Sequence, residues 1–565
     1  MKNFKVGLLW ITLMMVSVLL ASCGTPANDK ISSTSSQEAE TETTATTGTE
    51  ETETIETTMI TLEAKPSHWM FNDEVMNEAW LYNGSFPGPE IKVKQGDHVT
   101  IRLQNSLPDL TSLHIHGLPI PNEMDGVPGV TQNAIIPGEY FDYSFVASEN
   151  GTYWYHSHQN GSEQVEKGLY GALIVEPRDM EEVAIDKTIM IDEISSMEMS
   201  MNMDMHEDMD MNMHEDMSED MHEGMDMDMH EEMSEDMHEG MDMDMHEEMS
   251  AEMDENMDMH SDMHTEEMDG DHHDSQTEMS HAELMKEMYD TMIINGLAAS
   301  AIEPILVNED DKIRLRFVNA GLFTQVIHIP GHAFTVTHYD GQSVYEPGEL
   351  KDVALRIAPA ERYDVEINMT EAGAWGIQVY AEESKDKLNV TIPLVYNGYE
   401  EEALQMNEPS SYFDMTQYGK ALELDIGEVT KQYTMSLDTN DGGETFTIND
   451  KQSPDHEVFG VEEGDIVKVT IVNNSDADHP MHLHGQFFHV VSKNGEAIQG
   501  APIVKDTLNV RPNETYEVIF AADNPGNWLF HCHELHHASS GMVSEVKYKD
   551  YGDFEADPTI ANQPE

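Results

Sequence analysis

An all-β protein built from three related units is what this sequence predicts, and three observations predict it. Short segments alternate apolar and polar residues, as in His98-Val99-Thr100-Ile101-Arg102-Leu103 and Tyr140-Phe141-Asp142-Tyr143-Ser144-Phe145, which is the period of a half-buried strand. Gly and Pro turns separate them at the spacing of a sandwich or barrel. The same grammar returns at Lys312-Ile313-Arg314-Leu315-Arg316-Phe317-Val318 and at Ile466-Val467-Lys468-Val469-Thr470-Ile471-Val472, each time led by a Gly-Asp or Asp-Asp pair and closed by Asn.

The chain has 565 residues, 39% of them hydrophobic, enough for about three packed cores. Its 110 acidic against 28 basic residues give a formal charge of −82. That field repels nucleic acid and anionic lipid surfaces and gathers cations, so no nucleic-acid partner is expected.

Lys2 and Lys5 precede an apolar run from Val6 to Leu20, the layout of a secretory leader too short for a comfortable membrane span. Leu20-Ala21-Ser22-Cys23 resembles a bacterial lipobox. Residues 1–23 are thus expected to be a lipoprotein signal peptide, with Cys23 carrying the lipid that anchors the protein to the outer, extracytoplasmic face of the cell membrane. Only one other cysteine exists, Cys532, so a lipidated Cys23 leaves it without a disulfide partner.

Residues 24–59 are Ser, Thr, Glu and Gln with almost no large apolar side chains, and are expected to form a disordered tether. The first β unit is placed at 60–178, the second at 179–400, the third at 401–550 and a tail at 551–565. Within the second lies an insertion, 195–287, made almost wholly of Met, Asp, Glu, His and Ser. The string EDMHEGMDMDMHEEMS occurs there twice in succession, from Glu219 and from Glu235. It is too polar and uniform to build a core, and disorder is expected. A helix with a Met stripe is the alternative, although its other faces would crowd like charges.

Four histidine strings sit in the flanking units: His114-Ile115-His116-Gly117, His156-Ser157-His158, His479-Pro480-Met481-His482-Leu483-His484-Gly485, and His531-Cys532-His533 leading to His537 and Met542. Strand residues two apart point the same way, so each H-x-H offers two imidazoles in one direction. Imidazole suits copper, and one Cys with two His and a weak Met makes a trigonal electron-transfer site.

In these four strings, and in their order, the chain resembles the multicopper oxidases over about Met70 to Tyr548. The resemblance implies three cupredoxin-like Greek-key sandwiches and four copper ions, one type 1, one type 2 and two type 3. It implies His479, Cys532 and His537 as type 1 ligands with Met542 axial, and His114 and His482 for type 2. His116, His156, His158, His484, His531 and His533 would hold the type 3 pair. The implied reaction takes single electrons from a donor and gives four to O2, forming water, with Cys532 wired through His531 and His533 to the cluster. Asp125 matches a family carboxylate that assists proton delivery, and equally reads as the turn residue of Asp125-Gly126. Where many bacterial relatives carry Glu after the last type 1 histidine, this chain has Ala538, which leaves a second proton donor unassigned. His328, His332 and His338 of the second unit, with no Cys beside them, are expected in core or surface roles.

The Met-rich insertion resembles those of copper-resistance oxidases. Thioether sulfur prefers Cu(I), so Cu(I) is the expected donor and extra labile copper is expected in the insertion. The alternatives are a laccase-like oxidase of phenols or other organic donors and, in another class, a non-catalytic copper-storage lipoprotein, to which the O2-site ligand set is superfluous. A copper nitrite reductase would not need paired His around Cys532.

Overall fold

The computed structural model describes residues 57–70, 75–179, 182–195, 281–440 and 445–565, together with a two-residue strand at Glu42–Thr43. The leader, Cys23, most of the tether and nearly all of the insertion lie outside the described residues. The chain expected as tether gives way to strand at Thr57, slightly before residue 60, and Glu42–Thr43 pairs with Thr58 and Met59. No helix among the described residues is long and apolar enough to cross a membrane.

The fold is nearly all β, in three pairs of sheets. Each pair starts from the same arrangement. Thr57–Met70 lies parallel to His98–Asn105, Ile185–Ile194 to Lys312–Asn319, and Lys431–Asn440 to Ile466–Asn473. These are the three echoing segments, and their closing Asn explains the echo. Asn105, Asn319 and Asn473 are buried, and each donates from Nδ2 to the carbonyl four residues on and to a second, more distant backbone carbonyl, at 2.7 to 2.8 Å. Each accepts at Oδ1 the N–H two residues on, at 2.8 to 3.0 Å. A buried strand end would otherwise strand those groups at about 1–3 kcal/mol apiece.

Alternation then buries one face. Val99, Ile101 and Leu103 are inside, each contributing roughly 1.5–3 kcal/mol. The second unit departs from that pattern. Arg314 and Arg316, on the polar face of their strand, are also buried: they bond Asp186, Glu366 and Asp364, and Arg316 reaches Thr152 of the first unit at 2.9 Å. This face is closed by a neighbouring unit rather than by water.

One stretch sits elsewhere than expected. Ser411–Tyr412, counted with the third unit, adds as an edge strand to Val353–Ile357 of the second, and the third pair of sheets starts at Lys431. The edge of the second unit's sheet gains its pairing this way. The tail folds back onto the first unit, where Asn562 Oδ1 accepts the Ala134 N–H at 2.8 Å and Gln563 N–H donates to Gln159 at 3.0 Å.

Candidate metal centre

Short strands aim the histidine strings. His114–His116 pairs antiparallel with Gly151–His156, placing His114 opposite His156. His479–Leu483 pairs with Asn527–Cys532, placing His482 opposite His531 and Met481 opposite Cys532. The ladder puts Cys532 on one side of its strand and its two neighbours on the other.

Eight rings from the first and third units meet in a buried cage. Their ligating atoms gather in trios within 4.8 Å: His114, His116 and His482; His116, His156 and His533; and His158, His484 and His531. His116 stacks on His482 with ring centroids 3.7 Å apart, and His114 on His484 at 4.1 Å, so each of these close pairs joins the two units.

Seven of the eight rings are fixed by one nitrogen and offer the other. Nδ1 donates to Asp125 O from His114 at 2.8 Å, to Ser157 O from His156 at 2.9 Å, to Asp506 O from His482 at 3.0 Å and to Cys532 O from His531 at 2.9 Å. His484 Nδ1 lies 3.0 Å from Asp125 Oδ2, and His158 Nδ1 bonds Pro564 O. His116 is turned the other way, Nε2 lying 3.1 Å from Asp506 Oδ1. Nε2 of His114, His156, His482 and His533, and Nδ1 of His116, are buried with no hydrogen-bond partner. Orphaned nitrogens in a dry site are costly, and their convergence fits copper. Burial is the largest cause lowering the pKa of His116, His156, His158, His482, His484, His531 and His533, with His158 brought to about 4. The rings are therefore neutral, the ligating form.

The second cluster lies within the third unit. Cys532 Sγ stands 3.7 Å from His479 Nδ1 and 3.6 Å from His537 Nδ1. Ser475 Oγ holds His479 Nε2 at 2.8 Å, and Phe446 stacks on His537 at 3.8 Å. Glu534 caps the short helix Leu535–Ser539 by accepting the His537 N–H at 2.7 Å. Met542 is fully buried, its carbonyl accepting from Cys532 N and its N–H donating to His537 O. Burial pushes the Cys532 thiol well up, so an apolar pocket holds a sulfur that a metal cation would deprotonate.

Family models for multicopper oxidases match residues 63–180, 254–399 and 427–551. The chain belongs to the multicopper oxidase family. Among curated relatives, copper resistance protein A of Escherichia coli is 24% identical over 84% of this chain and 90% of its own length. Multicopper oxidase MmcO of Mycobacterium tuberculosis is 27% identical over 83% and 82%. Of solved structures, Botrytis aclada laccase is 21% identical over 87% of both chains with TM-score 0.62. Fet3p, a multicopper oxidase that functions in iron import, is 22% identical over 86% and 90% with TM-score 0.60. These two place the fold as cupredoxin-like. The protein is thus a copper-dependent oxidoreductase using O2, with four coppers as cofactors.

Asp125 sits at the turn and also lines the cage. It follows the 3-10 turn Asn122–Met124, with Gly126 at φ +83° where a Cβ would meet Leu113 O at 1.8 Å, and its buried carboxylate faces His484 and His114. Three contributors were missed by motif reading. Asp506 touches rings of both flanking units, Glu534 sets His537, and Glu565 brings a carboxylate 3.2 Å from His531 Nδ1 and 3.7 Å from His158 Nε2. None lies in a histidine string except Glu534, whose place directly after His533 was the available signal. Ala538 is buried in the helix that carries His537.

Proposed function

We propose that this multicopper oxidase takes its electrons from cuprous ion, captured in an acidic cavity beside His537. The observation that carries the reading is the cavity wall. A space of about 890 Å³ is lined by Glu283, Glu382, Glu383, Asp476, Asp478 and Glu534, against the single ammonium of Lys286. His537 and Met285 face it as well. Such walls concentrate cations, and a thioether among them suits Cu(I). Glu283 and Met285 sit on the helix His281–Met288, the end of the Met-rich stretch, so that stretch joins the body at the cavity.

In this reading His479, Cys532 and His537, with Met542, hold the type 1 copper; His114 and His482 hold type 2; His116, His156, His158, His484, His531 and His533 hold the type 3 pair. The ions supply one-electron transfer and the four-electron reduction of O2 to water. The chain supplies geometry. Cys532 is joined by peptide bonds to His531 and His533, whose rings belong to different trios. Asp125 fixes His484, Glu534 fixes His537, and burial excludes water from the cage. Acyl chains on Cys23 would hold this body at the outer face of the membrane, and labile copper would reside in the insertion.

A second reading, oxidation of a phenolic donor, is favoured by Leu322, Phe323 and Phe446 on the same wall. Oxygen uptake with Cu(I) and with a phenol, side by side, separates the two. On deleting residues 196–280, or with Glu283→Gln plus Asp476→Asn, Cu(I) oxidation should fall about tenfold or more while phenol oxidation persists, as for loss of interactions worth at least about 1.4 kcal/mol. Equal loss of both would refute the cuprous reading.

A further inference from the structure

The second unit supplies none of the cage histidines, yet one of its side chains ends beside them. Arg362 is fully buried. Its Nη1 and Nη2 each donate at 2.7 Å to one oxygen of Asp506, a parallel fork, while Nε donates to Thr152 O at 3.0 Å. Arg362 thus binds side chain or backbone of the first and third units at once.

Asp506 is where that grip becomes useful. Its Oδ1, gripped by Arg362, also accepts from Thr507 Oγ1 at 2.8 Å and lies 3.1 Å from His116 Nε2. Its backbone carbonyl accepts from His482 Nδ1 at 3.0 Å. One residue therefore sets the tautomer of a ring from the first unit and the orientation of a ring from the third, and those two rings stack on each other. A carboxylate free to rotate would not hold His116, whereas the contact to His482 is made by the backbone.

The surroundings over-determine the pair. Asp340 accepts the Arg362 backbone N–H at 2.9 Å, and Lys505, beside Asp506, is bridged at 3.0 Å to both Asp340 and Glu361. Gly117, at φ +87° directly after His116, leaves the space the fork occupies: a Cβ there would stand 2.3 Å from Asp506 Oδ2 and 2.5 Å from Arg362 Nη2. The glycine of the His114-Ile115-His116-Gly117 string is accounted for by this packing.

We propose that Arg362 is a positioning residue for the O2-reducing cluster, locking the Asp506 carboxylate so that His116, stacked on His482, presents its free nitrogen to copper. The role rests on the ligand assignment given above but not on the identity of the donor. Ring orienters of this kind are worth roughly 10–100-fold in metal affinity, and a planar fork cannot be replaced by an ammonium.

The test uses full-length, copper-loaded protein carrying Arg362→Met or Arg362→Lys. Expected are intact blue thiolate-to-copper absorption, copper retention in the cage about 10–100-fold weaker under a chelator, and an altered type 2 electron paramagnetic resonance signal. Arg362→Lys should recover only part of the wild-type retention. A folded Arg362→Met protein with wild-type chelator resistance and an unchanged type 2 signal overturns the proposal. Should Arg362→Met fail to fold, Asp506→Ala, which removes the acceptor the fork holds, carries the same reading, and wild-type retention and signal there overturn it equally. A parent protein lacking a type 2 signal would instead sink the ligand assignment.

Discussion

The flanking units and the middle unit share one strand plan and one asparagine device, and all three hold buried histidines. Only the flanking ones aim theirs at each other. In the middle unit His332 has both nitrogens occupied, 3.1 Å from Pro330 O and 3.0 Å from the Tyr396 hydroxyl, and His338 lies 3.0 Å from Thr337 Oγ1. In the cage seven of the eight histidines spend one nitrogen on the protein, and their other nitrogens converge. His328, buried with both nitrogens unpartnered, shows that an open nitrogen is not enough: convergence of several rings on one point separates a ligand from a core residue.

Exchanging single residues on the two sides sharpens that contrast. His484→Ala should abolish O2 reduction and release cage copper, while His332→Gln should keep all four coppers and cost about 1 kcal/mol of stability; metal content, oxygen uptake and thermal melts check both. Loss of copper from His332→Gln would break the comparison. A smaller effect is expected from Asp125. Asp125→Ala should weaken cage copper about tenfold, and Asp125→Asn, which keeps an acceptor near His484, should weaken it less.

The smallest effect belongs to the middle unit alone and spares chemistry. Burial raises Asp192 to about 7 and Glu193 to about 8. Both then hold protons in the folded state that the unfolded chain has released, so stability falls as pH rises from about 4 to about 8 and is level above that. Glu193→Gln should remove part of that slope, raising unfolding free energy at pH 8 relative to pH 5 by an amount on the order of 1–3 kcal/mol, read by thermal melts at the two pH values, with oxygen uptake unchanged.

Much of this was legible in the sequence, because strand alternation and H-x-H spacing are local. The three echoing strands follow from residues close in the chain, and the trio around Cys532 from the resemblance its motifs carry. What escaped is non-local. Arg314 and Arg316 read as solvent-facing until a neighbouring unit covers them, and the Ser411–Tyr412 edge strand is too short to carry a pattern. Asp506 and the tail act on histidines hundreds of positions away, which no spacing rule connects.

The two clusters consequently differ in when they can exist. Cys532 and His479 are 53 positions apart within one unit, whereas His116 meets Asp506 across 390. Closing the longer loop costs more entropy and requires docked units. The blue centre can therefore be filled by a chain still assembling, while the cage accepts metal only from a finished one. Colour without oxygen uptake would mark a molecule arrested midway through maturation.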